Sequence, residues 1–501
     1  MKLIDLLINS AAGRPKEIAI KTNEIEITYR QMLLDVQSLA EKLRSAGCDR
    51  GVKAAIMLGN SAEYLISFFA ISAAGGIIFP LSQQMTSLEA ARYIERADVS
   101  MVITRQGYKH LFDKLNLPHG ITVICAEYDT DRNLRTEITI SGDCRADEEN
   151  GDVALMVPTS GSTGTPKLVL LTDSQLISNM IIYRFLMGFD CRNVVYCTLS
   201  MHHIYCICAQ ILTHISMADT FVINKGPFFI RDFLSAVERY NITITAFVPF
   251  MAILLAEFPE ADQFSLTSLR YVTLSGAKTP KSKYTWLTEK YRWVRFIHTY
   301  GMSEAGSRIS IAAPFDQSYP PESVGRPMPG IAARITDNDG NILPANTVGQ
   351  IEVKSSGIMK GYYKQPELTN ETILGGWLKT GDIGKLDEEG NLFLVGRKKD
   401  IIISGGENIY PSEIEECLLE HPAILEAVVV AQTHRLLQEV PCAFVVNRPC
   451  QKTTSVDIVK FCKSRLSSHK IPRSVKFVEK LPRLSTSKID RNELRKIADN
   501  L

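Results

Sequence analysis

The 501-residue chain lacks an excess of either charge: 56 lysines and arginines face 55 aspartates and glutamates, a net charge of +1. No global field favours nucleic acid or an anionic membrane surface, so a phosphate site has to be built locally. Long apolar runs are missing too. The most apolar stretch, Tyr64 to Phe79, is shorter than the roughly 20 residues of a spanning helix and is broken by Gly75 and Gly76. It reads as a buried helix entering a strand, and no membrane span is expected. Met1 to Ser10 carries an acidic residue within a short apolar stretch and no small-residue cleavage pattern, so no signal peptide is expected. The 11 cysteines have no disulfide-scaffold spacing, and several, such as Cys206 and Cys208, lie in apolar runs. That favours a reducing cytoplasm. The group His202, His203, Cys206 and Cys208 matches no zinc spacing.

What is present is the alternation of a layered α/β protein, long enough for two or more domains. Thr28 and Gln31 form a capping box before a helix with apolar Met32, Leu33, Val36, Leu39, Ala40 and Leu43, which Gly47 stops. Short apolar runs at 54–58, 100–104, 122–125 and 243–248 read as buried strands. The polar stretch 143–152 reads as a solvated loop. It leads into Thr159-Ser160-Gly161-Ser162-Thr163-Gly164-Thr165-Pro166-Lys167, flanked by apolar runs that both read as strands. Hydroxyl donors, glycines that admit the backbone and one mobile cation are what a polyphosphate needs. The segment is not a Walker A loop, because the GK[ST] ending is missing. A plain Ser/Thr/Gly linker is the alternative on composition alone.

From this loop onward the chain resembles the adenylate-forming superfamily of acyl-CoA synthetases, peptide-synthetase adenylation domains and luciferases. Further motifs follow in family order: Ser275-Gly276-Ala277-Lys278, Tyr300-Gly301-Met302-Ser303-Glu304, Thr380-Gly381-Asp382, Gly396-Arg397-Lys398-Lys399-Asp400 and Ser487-Lys488-Ile489-Asp490-Arg491. The resemblance implies an α/β fold: a large N-terminal domain of layered sheets and helices (1–395), a hinge (396–400) with Lys399 in the hinge position, and a small mobile α+β C-terminal domain (401–501). It also implies ATP, Mg²⁺ and CoA, or the phosphopantetheine of a carrier protein.

Each motif has a chemistry that suits its implied role. Glu304 is a hard oxygen ligand for Mg²⁺ that bridges ATP phosphates, and Ser303 donates to the α-phosphate. Asp382 takes both ribose hydroxyls, and Arg397 holds ribose or phosphate. Gly276, Ala277 and Tyr300 line the adenine and acyl sites. Lys488 is the expected adenylation catalyst, because an ammonium at the bridging oxygens stabilises charge that grows in the transition state. Gly405 and Gly406, in Ser404-Gly405-Gly406-Glu407-Asn408, give the thioester-forming face close backbone approach.

Met201-His202-His203-Ile204-Tyr205 resembles the motif at the mouth of the acyl pocket, with His203 orienting the carboxylate or gating the thiol. Amino-acid-activating relatives carry an aspartate near Ile204. An ammonium buried beside isoleucine is costly, so an α-amino acid is disfavoured. Phe250, Met251, Ile253 and Leu254 suit an apolar acyl slot. Leu168 replaces a glycine common in relatives, Ser487 another, and Ser200 a proline. The leading expectation is an acid–CoA ligase for an apolar or aromatic acid. A freestanding ligase that loads an acyl or β-amino acyl group onto a carrier protein is the alternative, favoured by the Asp490-Arg491 pair, and a non-catalytic acyl-nucleotide binder is the reading outside enzyme function.

Overall fold

A helix buried on nearly every side joins the two main sheets of the protein. It spans Ala62–Ala74, and every residue but Ala73 is buried. Ser61 caps its start and Gly75, in a left-handed conformation, ends it before the strand Ile77–Pro80, as the sequence predicts. Tyr64 donates to Met201 O (2.9 Å) on one side, and Tyr128 N donates to Glu63 Oε1 (3.4 Å) on the other. The computed structural model describes residues 1–108, 121–140, 142–159, 167–189, 192–224, 226–276, 279–313, 319–449, 451–483 and 489–500.

Among the described residues one sheet has eight strands, with parallel pairings among Lys53–Ile56, Ile77–Pro80, Met101–Thr104 and Thr122–Tyr128, and it carries the hairpin Val153–Thr159/Lys167–Thr172. The other has nine. Its parallel centre runs through Val194–Cys197, Ile244–Phe247, Tyr271–Leu274 and Arg295–Met302, and the chain then turns back antiparallel in Ser307–Ile311. Their four-residue central strands are buried on both faces, which explains the continuous apolar runs in the sequence. A third sheet carries Trp377–Leu386 and its partner Leu392–Arg397.

The first helix predicted from the sequence, Tyr29–Ser45, buries the expected stripe except Leu33, which is half-buried. Its capping box is only half made. Thr28 accepts from Gln31 N (3.2 Å), but the Gln31 amide turns to Asp35 Oδ1 (2.9 Å), a helical neighbour with a free acceptor. The polar stretch 143–152 is largely exposed, as expected, but it is not simply solvated. Asp147 ion-pairs with Lys53 (2.9 Å), whose buried ammonium needs a counter-charge, so this loop is tied down.

A smaller C-terminal domain follows. The main core takes in Leu392 and Leu394, whereas Ile402 opens a separate core with Ile414, Leu418, Val429 and Val445. Between them the exposed Lys399 sits in a one-turn 3₁₀ segment, Lys398–Asp400. The small domain packs Pro411–Leu419 and Ser455–Lys463 against the long hairpin Ile424–His434/Gln438–Asn447, and Arg491–Asp499 closes its far side. Among the described residues no helix is long and apolar enough to cross a membrane.

Candidate active site

The signature segment begins and ends as the sequence predicts. Thr159 and Lys167 face each other as the last pair of an antiparallel hairpin. The helix Asp173–Met187 starts only after Thr172, so the lysine does not open a helix as in a Walker A loop. Ser160, Gly161, Ser162, Thr163, Gly164 and Thr165 lie outside the described residues, as do Ala277, Lys278 and Lys488. Leu168, the replacement for glycine, is fully buried in the second strand of this hairpin.

Lys167 meets Glu304 through a residue that sequence reading missed. Its ammonium lies 4.9 Å from the ring centroid of Tyr362, and the Tyr362 hydroxyl donates to Glu304 Oε1 at 2.9 Å. Burial, and then the charge of Glu304, push the Tyr362 phenol far up, so it stays a proton donor. Tyr362 is placed by the pairing of Gly361–Tyr362 with Val169–Leu170, alongside the signature hairpin. The only sequence signal for it was a Gly-Tyr-Tyr run. Glu304 itself sits in the 3₁₀ turn Ser303–Ala305, with Ser303 half-buried beside it. The turn is tight enough to need glycine at Gly301, where a Cβ would lie 1.7 Å from Ser307 O.

A second cluster forms four residues before Glu304. Tyr300 donates its hydroxyl to Asp382 Oδ2 (2.7 Å), and Arg397 Nε lies 3.2 Å from Asp382 Oδ1. Asp382 and Arg397 face each other across paired strands, which explains how two motifs distant in sequence meet. Both carboxylate oxygens are engaged, but each keeps a further lone pair for a ribose hydroxyl. Burial, followed by Asp382, drives the Tyr300 phenol well up. Gly276 follows Tyr271–Leu274 with φ +92, so glycine is set there by conformation, its nearest neighbour Val248 being at ordinary contact distance.

His203 stands at the start of a helical segment that turns π-helical over Ile207–Leu212, a geometry frequent at functional sites. Thr213 reinforces the wide turn by donating to Cys208 O (2.7 Å). Asn60, also missed from sequence, clamps the preceding loop through Leu199 O and Met201 N, both at 2.8 Å. His202 packs on His203 with ring centroids 4.1 Å apart, and burial holds its pKa down at about 4, so it is neutral. Met251 is buried, Ile253 and Leu254 half-buried and Phe250 exposed.

The residues that flank Lys488 are ordered by the fold. Arg483 and Ile489 form an antiparallel bridge, and the Arg483 guanidinium lies 5.1 Å from the Phe250 ring. Asp490 caps the last helix through Asn492 N and Glu493 N, and Arg491 forks onto Glu415 (2.8 and 3.0 Å). The pair that favoured a carrier protein thus has structural work to do. Gly405 and Gly406 form the two-residue turn of the exposed hairpin Ile402–Ser404/Glu407–Ile409, both with positive φ, which is what such a turn demands. The structure does not bring them to the Glu304 or Asp382 clusters. A cleft of 1060 Å³ has Tyr362 in its lining but none of the motif residues, and Lys53 and Asp147 pair inside it.

The family model of the AMP-binding enzyme matches residues 7–363, and that of its C-terminal domain matches 413–488. The chain belongs to the AMP-binding enzyme family. The 2-succinylbenzoate–CoA ligase of Bacillus cereus is 32% identical over 497 residues, covering 99% of this chain and 98% of that one. Among solved structures, o-succinylbenzoate CoA synthetase (MenE) of Bacillus subtilis, in complex with its acyl-adenylate intermediate, is similar with a TM-score of 0.84 and 27% identity, over 98% of this chain and 97% of that chain. The amide bond synthetase McbA of Marinactinospora thermotolerans gives 0.87 and 26%, over 99% and 100%. This AMP-binding enzyme is an ATP-dependent, AMP-forming acid–thiol ligase, as the sequence motifs led us to expect.

Proposed function

We propose that the enzyme activates an apolar or aromatic carboxylic acid as its acyl adenylate and passes the acyl group to the thiol of CoA. The observation that carries this reading is that Tyr300 and Glu304, on one strand and its turn, head two clusters: Asp382 with Arg397 for the ribose end, and Tyr362 with Lys167 for the phosphate end. In the first step a carboxylate oxygen attacks the α-phosphorus and pyrophosphate leaves. In the second the thiol attacks the acyl carbon and AMP leaves.

Glu304 suits Mg²⁺, which binds through one or two carboxylates and keeps several waters. Its side chain is buried and held by a single phenol, and among the described residues no group of three or more His, Cys, Asp or Glu forms an all-protein cage. Bound there, the ion offsets charge on the phosphates. Asp382 and Arg397 position the ribose, Ser303 donates to the α-phosphate, and Thr159 to Thr165 with Lys167 grip the phosphates. Gly276, Ala277, Lys278, Gly301 and Met302 line the nucleotide and acyl sites. His203 orients the acid, and Lys488 stabilises charge at the bridging oxygens. Lys399, in the hinge 396–400, lets the small domain 401–501 turn between the steps, so that the Gly405–Gly406 hairpin replaces the Lys488 loop. A cytoplasmic setting suits the free thiols.

The 2-succinylbenzoate–CoA ligase relatives support CoA as the acceptor. With Asp490 and Arg491 otherwise engaged, no observation favours a carrier protein. Acid-dependent ATP–pyrophosphate exchange over fatty, aryl, amino, β-amino and dicarboxylic acids, with product mass recorded when CoA is present, tests the reading. Exchange plus an acyl-CoA mass is expected. Exchange without a CoA thioester would overturn the acceptor, and no exchange with any acid would overturn the reading itself.

A further inference from the structure

Arg308 is only 1% exposed, and its Nε and both terminal nitrogens make no well-aligned hydrogen bond among the described residues, the Tyr183 hydroxyl being near enough only for Arg308 to pull that phenol down against burial. Its backbone is fixed. Asn179 Nδ2 donates to Arg308 O (2.8 Å) and Asn179 Oδ1 accepts from Arg308 N (3.4 Å). The guanidinium carbon lies 3.5 Å from the centroid of the Tyr183 ring and 5.7 Å from that of Tyr205. A ring face attracts the cation but accepts none of the N–H groups that radiate in the guanidinium plane. A buried, permanently charged group left in this state is costly, and buried charges are normally paired.

The position of Arg308 says what is missing. It faces Gly301 across the hairpin that carries Glu304. Tyr205, two residues beyond His203, bonds through its hydroxyl to Thr273 Oγ1 (2.7 Å), on the strand that leads to Gly276. Burial pushes the Cys208 thiol up to about 12, with Arg308 pulling against it, so the cation also borders the π-helical turn. Arg308 therefore lies among the elements that carry the acyl motif.

We propose that Arg308 determines specificity for an acid with a second carboxylate, remote from the one that is adenylated, and holds that group in a bidentate pair. This rests on the acid-activating reading above and narrows its substrate class. A planar fork of N–H donors fits a carboxylate, and a site built to bond a polar group strongly rejects an analogue that lacks it. Neutral fatty and aryl monoacids are then poor substrates.

The test is ATP–pyrophosphate exchange with aliphatic and aryl dicarboxylic acids, each against its monomethyl ester with only the remote carboxyl blocked. Wild type should prefer the free diacid by at least about 100-fold in kcat/KM, mostly through KM. In Arg308→Met the preference should collapse to about threefold or less, with the ester used at least as well as by wild type. Equal use of diacid and ester by wild type overturns the proposal, and that comparison needs no variant to fold. Equal loss on both substrates in Arg308→Met also overturns it, since a cation that merely packs on Tyr183 would behave so. Exchange with neutral acids alone defeats this inference and leaves the ligase reading intact; no exchange with any acid removes both.

Discussion

Replacing Tyr362 with phenylalanine removes one oxygen and leaves the ring that Lys167 overlies. With the oxygen goes the 2.9 Å hydrogen bond to Glu304, between side chains of residues only 5% and 8% exposed. A hydrogen bond to a charged acceptor contributes about 1.5–3 kcal/mol, and each 1.4 kcal/mol is a factor of ten. Adenylation should therefore slow by about 10- to 150-fold. If Glu304 holds Mg²⁺, the effect should appear as a raised Mg²⁺ requirement, since the carboxylate is no longer aimed. Thioester formation from a supplied acyl adenylate involves no triphosphate and should change by less than about twofold. The assay is pyrophosphate exchange across a Mg²⁺ titration, beside single-turnover thioester formation. Exchange within twofold of wild type at every Mg²⁺ concentration would refute the reasoning. So would an equal fall in both half-reactions, because the phenol would then support the fold and not the phosphate end of the site.

Lys488→Ala should abolish adenylation while sparing thioester formation from supplied acyl adenylate; equal loss in both would remove its assigned role. His202 is held at about 4 by burial, below its ordinary value near 6.5, so protons favour the unfolded chain. Its stabilising contribution is complete above about pH 6.5 and is lost as pH falls toward 4, by about 3 kcal/mol. His202→Phe should flatten that part of a stability–pH curve measured by urea unfolding, and a curve parallel to wild type would contradict the cause given. Gly301→Ala forces a Cβ to within 1.7 Å of Ser307 O and should cut exchange at least about tenfold with a lower Tm; wild-type exchange would show that the Glu304 turn tolerates the shift.

The motif residues were legible because each motif is a local solution to a local need: a glycine for a turn, a carboxylate for a cation. Their partners were not. Tyr362 reaches Glu304 across 58 residues and Tyr300 reaches Asp382 across 82, distances that only sheet pairing closes. Arg308 stood four residues past Glu304 as one more cation in a chain with 56, and only burial without a well-aligned hydrogen bond sets it apart. The core strands and the buried helix were readable from apolar runs, since a strand covered on both faces needs no polar alternation. Gln31 and Asp147 escaped because side-chain partners compete, and the winner depends on the neighbour supplied by the fold. Asp490 and Arg491 show the converse: residues weighed as functional signals turn out to cap a helix and to fork onto Glu415.

The small domain bears on how one site serves two steps. It meets the large domain through Arg448 with Glu257, Arg483 over Phe250 and Ser412 with Val395 O. Partly exposed pairs of this kind contribute no more than about 1 kcal/mol each, so they hold an orientation without making it permanent. Arg483 lies over Phe250, whereas the Gly405–Gly406 turn is exposed. Between them, Arg397 pairs with Asp382 two residues before the exposed Lys399. A ribose that takes the remaining lone pairs of Asp382 therefore bonds the same carboxylate that ties down the strand leading into the proposed hinge. In the proposed cycle, nucleotide occupancy and domain orientation are coupled through that single carboxylate.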